Sequence, residues 1–488
     1  MLQWTNRKNT PKNARMALDL VEAGNDENDY GIMEKVTNHI PEGVTSQMLY
    51  RDIVRIAWPS FLELMLTQLA SMVDMMMVGQ LGSWAITAVG LTTQPKFLLM
   101  IMFMAMNVGA TALVARYKGE GSPEKANRIL RQSLLLTFVL SIISSIGGYI
   151  FSEPMIQFMG APDRLTLEKG TLYLKIQMVG FITLALTSTI TAALRGVGNS
   201  RIAMAYNLTA NAVNVIFNYL LIYGHMGFPR MEVAGASLAT VIGQFVAFVL
   251  SMAAVMRGNQ YITLRFRDSF KPDWKAIKSI FNIGMPAMVE QIFMRIGVIV
   301  YVKTVASLGT VAYATHQICM NIQAMSFMNG QAFAVSATSL VGQSLGKRRP
   351  DMAQAYSSRT NRISMAVAFG LALVFFFLGK FIVALYTSEQ EVIRQGAGIL
   401  MFVALVQPLQ SSQFTLAGAL RGAGDTRATA IITFITVMLI RPGLAMLTIY
   451  LFNWGLEGAW LALVADQFVR SLLVLFRYKT GKWKSIKV

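Results

Sequence analysis

Long apolar runs, each bounded by charged, Gly or Pro residues, recur along the chain from Ile53 to Arg477. They fall at about residues 53–79, 86–115, 126–150, 168–194, 201–224, 233–256, 277–306, 311–341, 356–385, 392–419, 428–451 and 455–477. About 20 residues rising about 1.5 Å each cross the hydrocarbon of a bilayer, where a helix satisfies its own backbone groups. The expected fold is therefore an all-α polytopic membrane protein of about twelve transmembrane helices. A hydrophobic content of 54% against 14% charged residues leaves no room for a soluble domain of comparable size. The formal charge of +18 would suit nucleic acid, but the bases are spread over alternate loops and no nucleic-acid partner is expected. One set of loops carries Arg116, Lys118, Lys125, Arg128, Arg195, Arg201, Lys347, Arg348, Arg349, Arg421 and Arg427; the other has little beyond Arg164, Lys169, Arg230 and Arg394. By the positive-inside rule the first set, and both termini, are cytoplasmic in a plasma-membrane protein. The single cysteine, Cys319, provides neither a disulfide framework nor a cysteine metal site. Residues 1–50 are polar and mixed in charge, which reads as a cytoplasmic tail and not a cleaved leader.

The chain is also a repeat. Pro59, Glu63, Leu81-Gly82, Gly119, Pro123 and Ala126 return, at one constant spacing, as Pro286, Glu290, Leu308-Gly309, Gly346, Pro350 and Ala353. The turn Leu194–Arg201, LRGVGNSR, returns as Leu420–Arg427, LRGAGDTR, with the spacing shortened by a single position. Six spans per half is an even number, so both halves enter the membrane with one orientation: a parallel repeat, with a site expected between its halves. This divides the chain into a tail (1–50), an N-lobe (51–256), a cytoplasmic linker (257–278), a C-lobe (279–478) and a second tail (479–488).

The first span carries two acids. Glu63 and Asp74 are eleven residues apart, within roughly 20° of one helix face, and Thr67 and Ser71 lie between them on that face. An intramembrane carboxylate costs roughly 2.5–3.5 kcal/mol even on the lenient insertion scale, so this face is expected to line something wet. Asp74 is read as a coupling carboxylate for H⁺ or Na⁺, in preference to an acid permanently neutralised by a partner. Glu63 and its repeat mate Glu290 fit either a paired function or a shared packing feature. Arg295, on the same helix as Glu290, is either a fixed counter-charge or a substrate contact. Asn207, Asn211, Asn214 and Asn218 form one stripe on the fifth span that either lines a cavity and offers amide oxygens to a cation or hydrogen-bonds a neighbouring helix, the cavity reading being preferred for Asn211 and Asn214. Tyr301 stands where the repeat would place an acid matching Asp74, so the main cation site is expected in the N-lobe. Gln94-Pro95 and Gln407-Pro408 mark bends within spans. The Gly-rich turns lack GxxxxGK[ST], and there is no HExxH, Ser-Lys or multi-His pattern, so neither an ATP site nor an enzyme is expected.

PSFLELMLTQLASMVDMMMVGQLG followed by ITAVGL, the segment LVGQSLGKRRPDMA and the paired LRGxGxxR turns resemble the multidrug and toxic compound extrusion (MATE) family from about Tyr50 to Lys479. The resemblance implies two six-helix bundles around a central cavity, alternating access, and export of small cationic or amphipathic organic compounds in exchange for H⁺ or Na⁺, by a monomer among membrane lipid and without a cofactor. Asp74 then occupies the position of the first-helix coupling acid, and Asn211 and Asn214 lie on the helix that completes its pocket. Gln410 and Met294 stand where one branch of the family has C-lobe acids, so no C-lobe Na⁺ site and no structural metal is expected, protons are favoured over Na⁺, and any Na⁺ would sit near Asp74. Glu63, Glu290, Arg295, Gln410 and Tyr301 remain candidates for coupling or substrate contact. The alternatives are a flippase for lipid-linked precursors or polysaccharides, whose cavity would need several basic residues and for which Arg295 with Lys303 makes a thin case, a membrane-embedded enzyme, and a scaffold that would leave the acids unexplained.

Overall fold

A computed structural model describes residues 44–486 except 162, 259, 266–268 and 388; the expected N-terminal tail up to residue 43 lies outside the described residues. Among the described residues twelve long helices run up and down: α1 Ser46–Gly79, α2 Ser83–Gly119, α3 Pro123–Ile150, α4 Arg164–Gly196, α5 Ser200–Tyr223, α6 Glu232–Met256, α7 Trp274–Ala306, α8 Thr310–Gly346, α9 Pro350–Ala384, α10 Gln390–Gly422, α11 Thr426–Leu451 and α12 Gly455–Lys479. The described residues contain no strand. Ten of the twelve are long and apolar enough to cross a membrane by composition. The other two, α5 and α8, carry polar side chains along the span: the asparagine stripe in one, and Thr315, His316, Gln323, Ser326 and Asn329 in the other. Helix α1 starts at Ser46, with the Thr45 hydroxyl accepting from Met48 N at 3.3 Å, and α7 starts at Trp274, where the Asp273 carboxylate caps the first turn. The polar residues read as tail and linker ends are thus the first turns of helices that reach beyond the hydrocarbon.

The repeat is visible at the level of single hydrogen bonds. At the α2–α3 turn Gly121 N bonds to Lys118 O at 3.1 Å and Ser122 N to Tyr117 O at 3.0 Å; at α8–α9 the equivalent bonds are Arg348 N to Leu345 O and Arg349 N to Ser344 O, both 3.0 Å. The LRGxG turns match likewise, with Asn199 N on Leu194 O and Asp425 N on Leu420 O, both 2.8 Å, and Gly198 and Gly424 at φ 76° and 88°. These sequences make tight helix–helix turns. Helix α11 departs from its mate α5: Pro442 lacks an amide hydrogen, and the helix widens to π-turns at Phe434–Ile440 and Leu447–Leu451, with Arg441 N reaching back five residues to Thr436 O.

Helices α1–α6 and α7–α12 form the two lobes; one buried cluster centres on Leu130, Ile190 and Leu194 and takes in Ile280 and Ile283 at the start of α7, and another centres on Tyr301, Val403 and Trp460 in the second lobe. The lobes join at the end that carries the basic loops. There Ser339 Oγ and Gln343 Nε2 both donate to Gly196 O at 3.0 Å, and Tyr356 OH donates to Asp52 Oδ2 at 2.7 Å. Helices α2 and α8 cross at Gly119 and Gly346, where a Cβ on either would strike the backbone carbonyl of Gln343 or Arg116. Another symmetric pair lies deeper. A Cβ on Gly109 would sit 2.6 Å from Ile280 O, while its mate Ser336 donates to Ile53 O at 3.2 Å. Beyond the Arg295–Phe97 contact described below, the lobe boundary toward the other end carries few polar contacts among the described residues.

Candidate functional site

Helices α1 and α5 lie side by side and parallel, zipped by a polar ladder. Asn207 Nδ2 donates to Glu63 Oε1 at 2.6 Å, Asn211 Nδ2 to Thr67 Oγ1 at 2.9 Å, and Asn218 Nδ2 to Asp74 Oδ1 at 2.5 Å. Each bond spans 144 residues, so the register holds over three turns and the two polar faces read from sequence are one surface. In the orientation that satisfies both ends of its amide, Asn214 donates to the Asp74 carboxylate at 2.9 and 3.0 Å and accepts from Thr240 N at 3.1 Å. Helix α6 sets this geometry by close approach: a Cβ on Gly243 would stand 2.8 Å from Ala210 O and 3.0 Å from Asn214 Cβ. Tyr173 of α4 is hydrogen-bonded to Thr240 behind the asparagines. Thr67, Gln68 and Ser71 are exposed on α1.

The pocket differs from its sequence reading at one position. Asn211 does not touch Asp74; it belongs to the Thr67 rung. Asn218 makes the direct contact, and spacing could not separate the two, because all four asparagines share one face and only the register of α5 against α1 selects among them.

Glu63 and Glu290 are both ion-paired, in the same way. Arg195, at the end of α4, lies 2.8 Å from Glu63 Oε1; Arg421, at the end of α10, pairs with Glu290, whose Oε2 also accepts from Thr429 Oγ1 at 2.8 Å. The arginine of each LRGxG turn thus neutralises the acid four residues after the proline of its lobe's first helix. This is the shared-packing alternative in geometric form. Arg295 is not the counter-charge of Glu290: its guanidinium lies on the Phe97 ring, 3.5 Å from the centroid, across the lobe boundary. Tyr301 is buried in the C-lobe core, its hydroxyl donating to Ala459 O at 2.9 Å and its ring against His316 and Arg441. Tyr301→Phe should therefore cost about 0.5–1.5 kcal/mol of stability, measured by thermal unfolding in detergent, and leave transport unchanged. Gln410 is buried with Oε1 unpartnered, enclosed in the C-lobe.

A charged group in the C-lobe lies outside the candidates named from sequence. Asp466 of α12 is fully buried, its Oδ2 accepting from Arg441 Nε at 2.9 Å and pairing with Arg470 one turn away. The signal was there, as Arg441 and Asp466 sit inside apolar spans. Asp466→Asn strips two buried guanidinium groups of their carboxylate, and breaking a buried pair this way costs about 3–5 kcal/mol. The expected outcome is a sharp fall in melting temperature, whereas Asp466→Glu should recover part of it.

The family model MatE matches this chain twice, over residues 59–220 and 286–447, one match per lobe. The probable multidrug resistance protein NorM of Thermotoga maritima is 26% identical over 447 residues, 92% of this chain and 96% of that protein. The multidrug resistance protein PmpM of Pseudomonas aeruginosa is 28% identical over 453 residues, covering 90% and 93%. Among solved structures, an outward-facing multidrug resistance MATE family transporter of the MOP superfamily aligns with a TM-score of 0.83 at 20% identity, covering 91% of this chain and all of that one. The two matched repeats, the twelve-helix two-lobed fold and the relatives aligned along almost their full length establish that this chain belongs to the MatE family of multi-pass membrane transporters and is not an enzyme.

Proposed function

We propose that the protein is a secondary active exporter of small organic cations, driven by proton exchange at Asp74 and working by alternating access between the lobes 51–256 and 279–478. The observation that carries this reading is the Asp74 pocket: one carboxylate with no basic partner among the described residues of its pocket, held by two amide donors where α1 and α5 meet. The buried acids of the spans, Glu63, Glu290 and Asp466, all have arginine partners. Proton and cationic substrate favour opposite charge states of one group, and such differential affinity is what a ligand needs to shift a conformational equilibrium. With Asn214 in the orientation assigned from its hydrogen-bond partners, both amide nitrogens face Asp74, and a carboxylate offers about four lone-pair sites, so a proton can add without either amide turning. Na⁺ would need their oxygens, hence a rotation of both. The multidrug resistance named for the relatives supports a polyspecific range of substrates. The basic end is the cytoplasmic one in this reading, with both termini there and the chain in the plasma membrane.

The test is movement of a fluorescent cationic dye in proteoliposomes under a pH gradient and, separately, a Na⁺ gradient. Dye movement driven by the pH gradient supports the reading. Movement driven by Na⁺ alone would replace the coupling ion, and no movement of several such dyes under either gradient would remove the multidrug assignment.

A further inference from the structure

Where the lobes close at the basic end, a cavity of about 460 Å³ opens between them, within the roughly 300–1,000 Å³ range of small-ligand sites. Its wall gathers Arg55 and Lys118 from the N-lobe with Lys347 and Arg349 from the C-lobe. Lys347 and Arg55 are near enough for their charges to act on Lys118. The one carboxylate in the wall, Asp52, already accepts the Tyr356 hydroxyl, and Arg349 has a partner in Asp351 at 2.6 Å. Val197, Gly198 and Asn199 of the first LRGxG turn complete the floor.

Positive-inside topology puts bases at this end but does not say they should converge. The repeat supplies an internal control. The mates of Arg55, Lys118, Lys347 and Arg349 are Asn282, Leu345, Glu120 and Ser122, none of them a cation. On that side the chain fills its own crevice: Arg116, the mate of the wall residue Gln343, donates to Ile486 O at 2.9 Å, and Trp483 is fully buried against Tyr478. One of two related crevices is therefore capped by the C-terminal segment, while the other is open, basic and built from both lobes.

The geometry points to this cavity as a binding site for a phosphate-bearing anion, which bridges the two lobes and holds the basic end shut. Lysine and arginine around a concave polar wall suit phosphate oxygens, each such contact being a charge-assisted hydrogen bond. Because half the cations come from each lobe, the site exists only while the lobes meet, and its ligand stabilises that state by its differential affinity alone. The chemistry is common to an anionic lipid headgroup and to a soluble organic phosphate.

The test uses the full-length chain with spin labels at Met226→Cys and Leu385→Cys, exposed positions at the other end of the two lobes; the native Cys319 is buried. Interlobe distances are measured by electron spin resonance while inorganic pyrophosphate is added in detergent, and in a second arm in nanodiscs of phosphatidylglycerol against phosphatidylcholine. The site predicts a saturable shift toward one lobe separation, with the half-saturating concentration raised about tenfold or more in Lys347→Gln/Arg55→Gln. Pyrophosphate acting alone identifies a soluble phosphate; a shift confined to phosphatidylglycerol identifies a lipid headgroup. A flat response in both arms, an equal response to chloride at matched ionic strength, or an undiminished response in the double variant would overturn it. Since neither arm involves dye transport, its failure leaves the proposed export function standing.

Discussion

Asp74→Asn is expected to uncouple the protein. The substitution keeps the size of the side chain and an oxygen for Asn218 to donate to, but removes the charge and the carboxylate that takes the proton. Coupling between two ligands of this kind typically amounts to about 1–3 kcal/mol, or about 5–150-fold in affinity. Dye affinity of the parent should weaken by a factor in that range between alkaline and mildly acidic buffer, as the proton takes the carboxylate. In Asp74→Asn the affinity should be flat with pH and the dye movement driven by a pH gradient should vanish. Asn218→Ala is the companion: it removes the 2.5 Å donor to Asp74 but not the charge, so coupling should persist at an altered pH midpoint. Asn211→Ala, one rung away on Thr67, should leave that midpoint in place. A pH-dependent dye affinity that survives in Asp74→Asn would move the coupling site elsewhere.

Gly346→Val should have the second largest effect, through the lobe seam and not the pocket. A side chain at Gly346 meets the Arg116 carbonyl of α2, and one at Gly119 meets the Gln343 carbonyl of α8. Overpacking of this kind costs about 1–3 kcal/mol or more, and it falls only on the state in which α2 and α8 cross. About 2 kcal/mol of selective destabilisation shifts the balance between the two ends about 30-fold. Leu340 packs against Ile53 and Ile56 in the same seam and is buried, so a cysteine placed there reports the opening. Leu340→Cys should be slow to react with a maleimide in the parent background and fast with Gly346→Val. Gly346→Ala should fall between them, so that a partial opening is still read if the valine variant fails to fold. Equal labelling rates in all three would show that the glycine crossing does not govern closure.

Much of this architecture was legible because bilayer physics is strict. Hydrocarbon thickness sets the run length, and the near-constant spacing between repeat mates carries over into matching turn hydrogen bonds. The shared polar face of α1, and the asparagine stripe it meets, followed from helical spacing. What spacing could not supply was rotation and register between helices. Asn211 and Asn218 are equivalent on a helical wheel, and only the approach of α6 at Gly243 and the ladder to α1 place Asn218 on Asp74. The arginines paired with Glu63 and Glu290 lie far away in sequence, on the fourth helix of each lobe. Arg295 shares its helix with Glu290, whereas its contact is an aromatic ring on the other lobe, a pairing that no spacing along one helix indicates. The group around Asp466 depends on the widened turns of α11 that aim Arg441 inward, a local geometry that Pro442 alone does not specify.

The most direct test of the central claim, that proton and cationic substrate compete through Asp74, is proton release on binding. Detergent-solubilised protein in weakly buffered, sodium-free solution at mildly acidic pH is titrated with a cationic dye whose own charge does not change with pH, and the bulk pH is followed. Acidification is expected to saturate with the dye-binding curve, approaching about one proton per bound dye, and to be absent in Asp74→Asn. Tight dye binding without proton release, or the same release from Asp74→Asn, would contradict it.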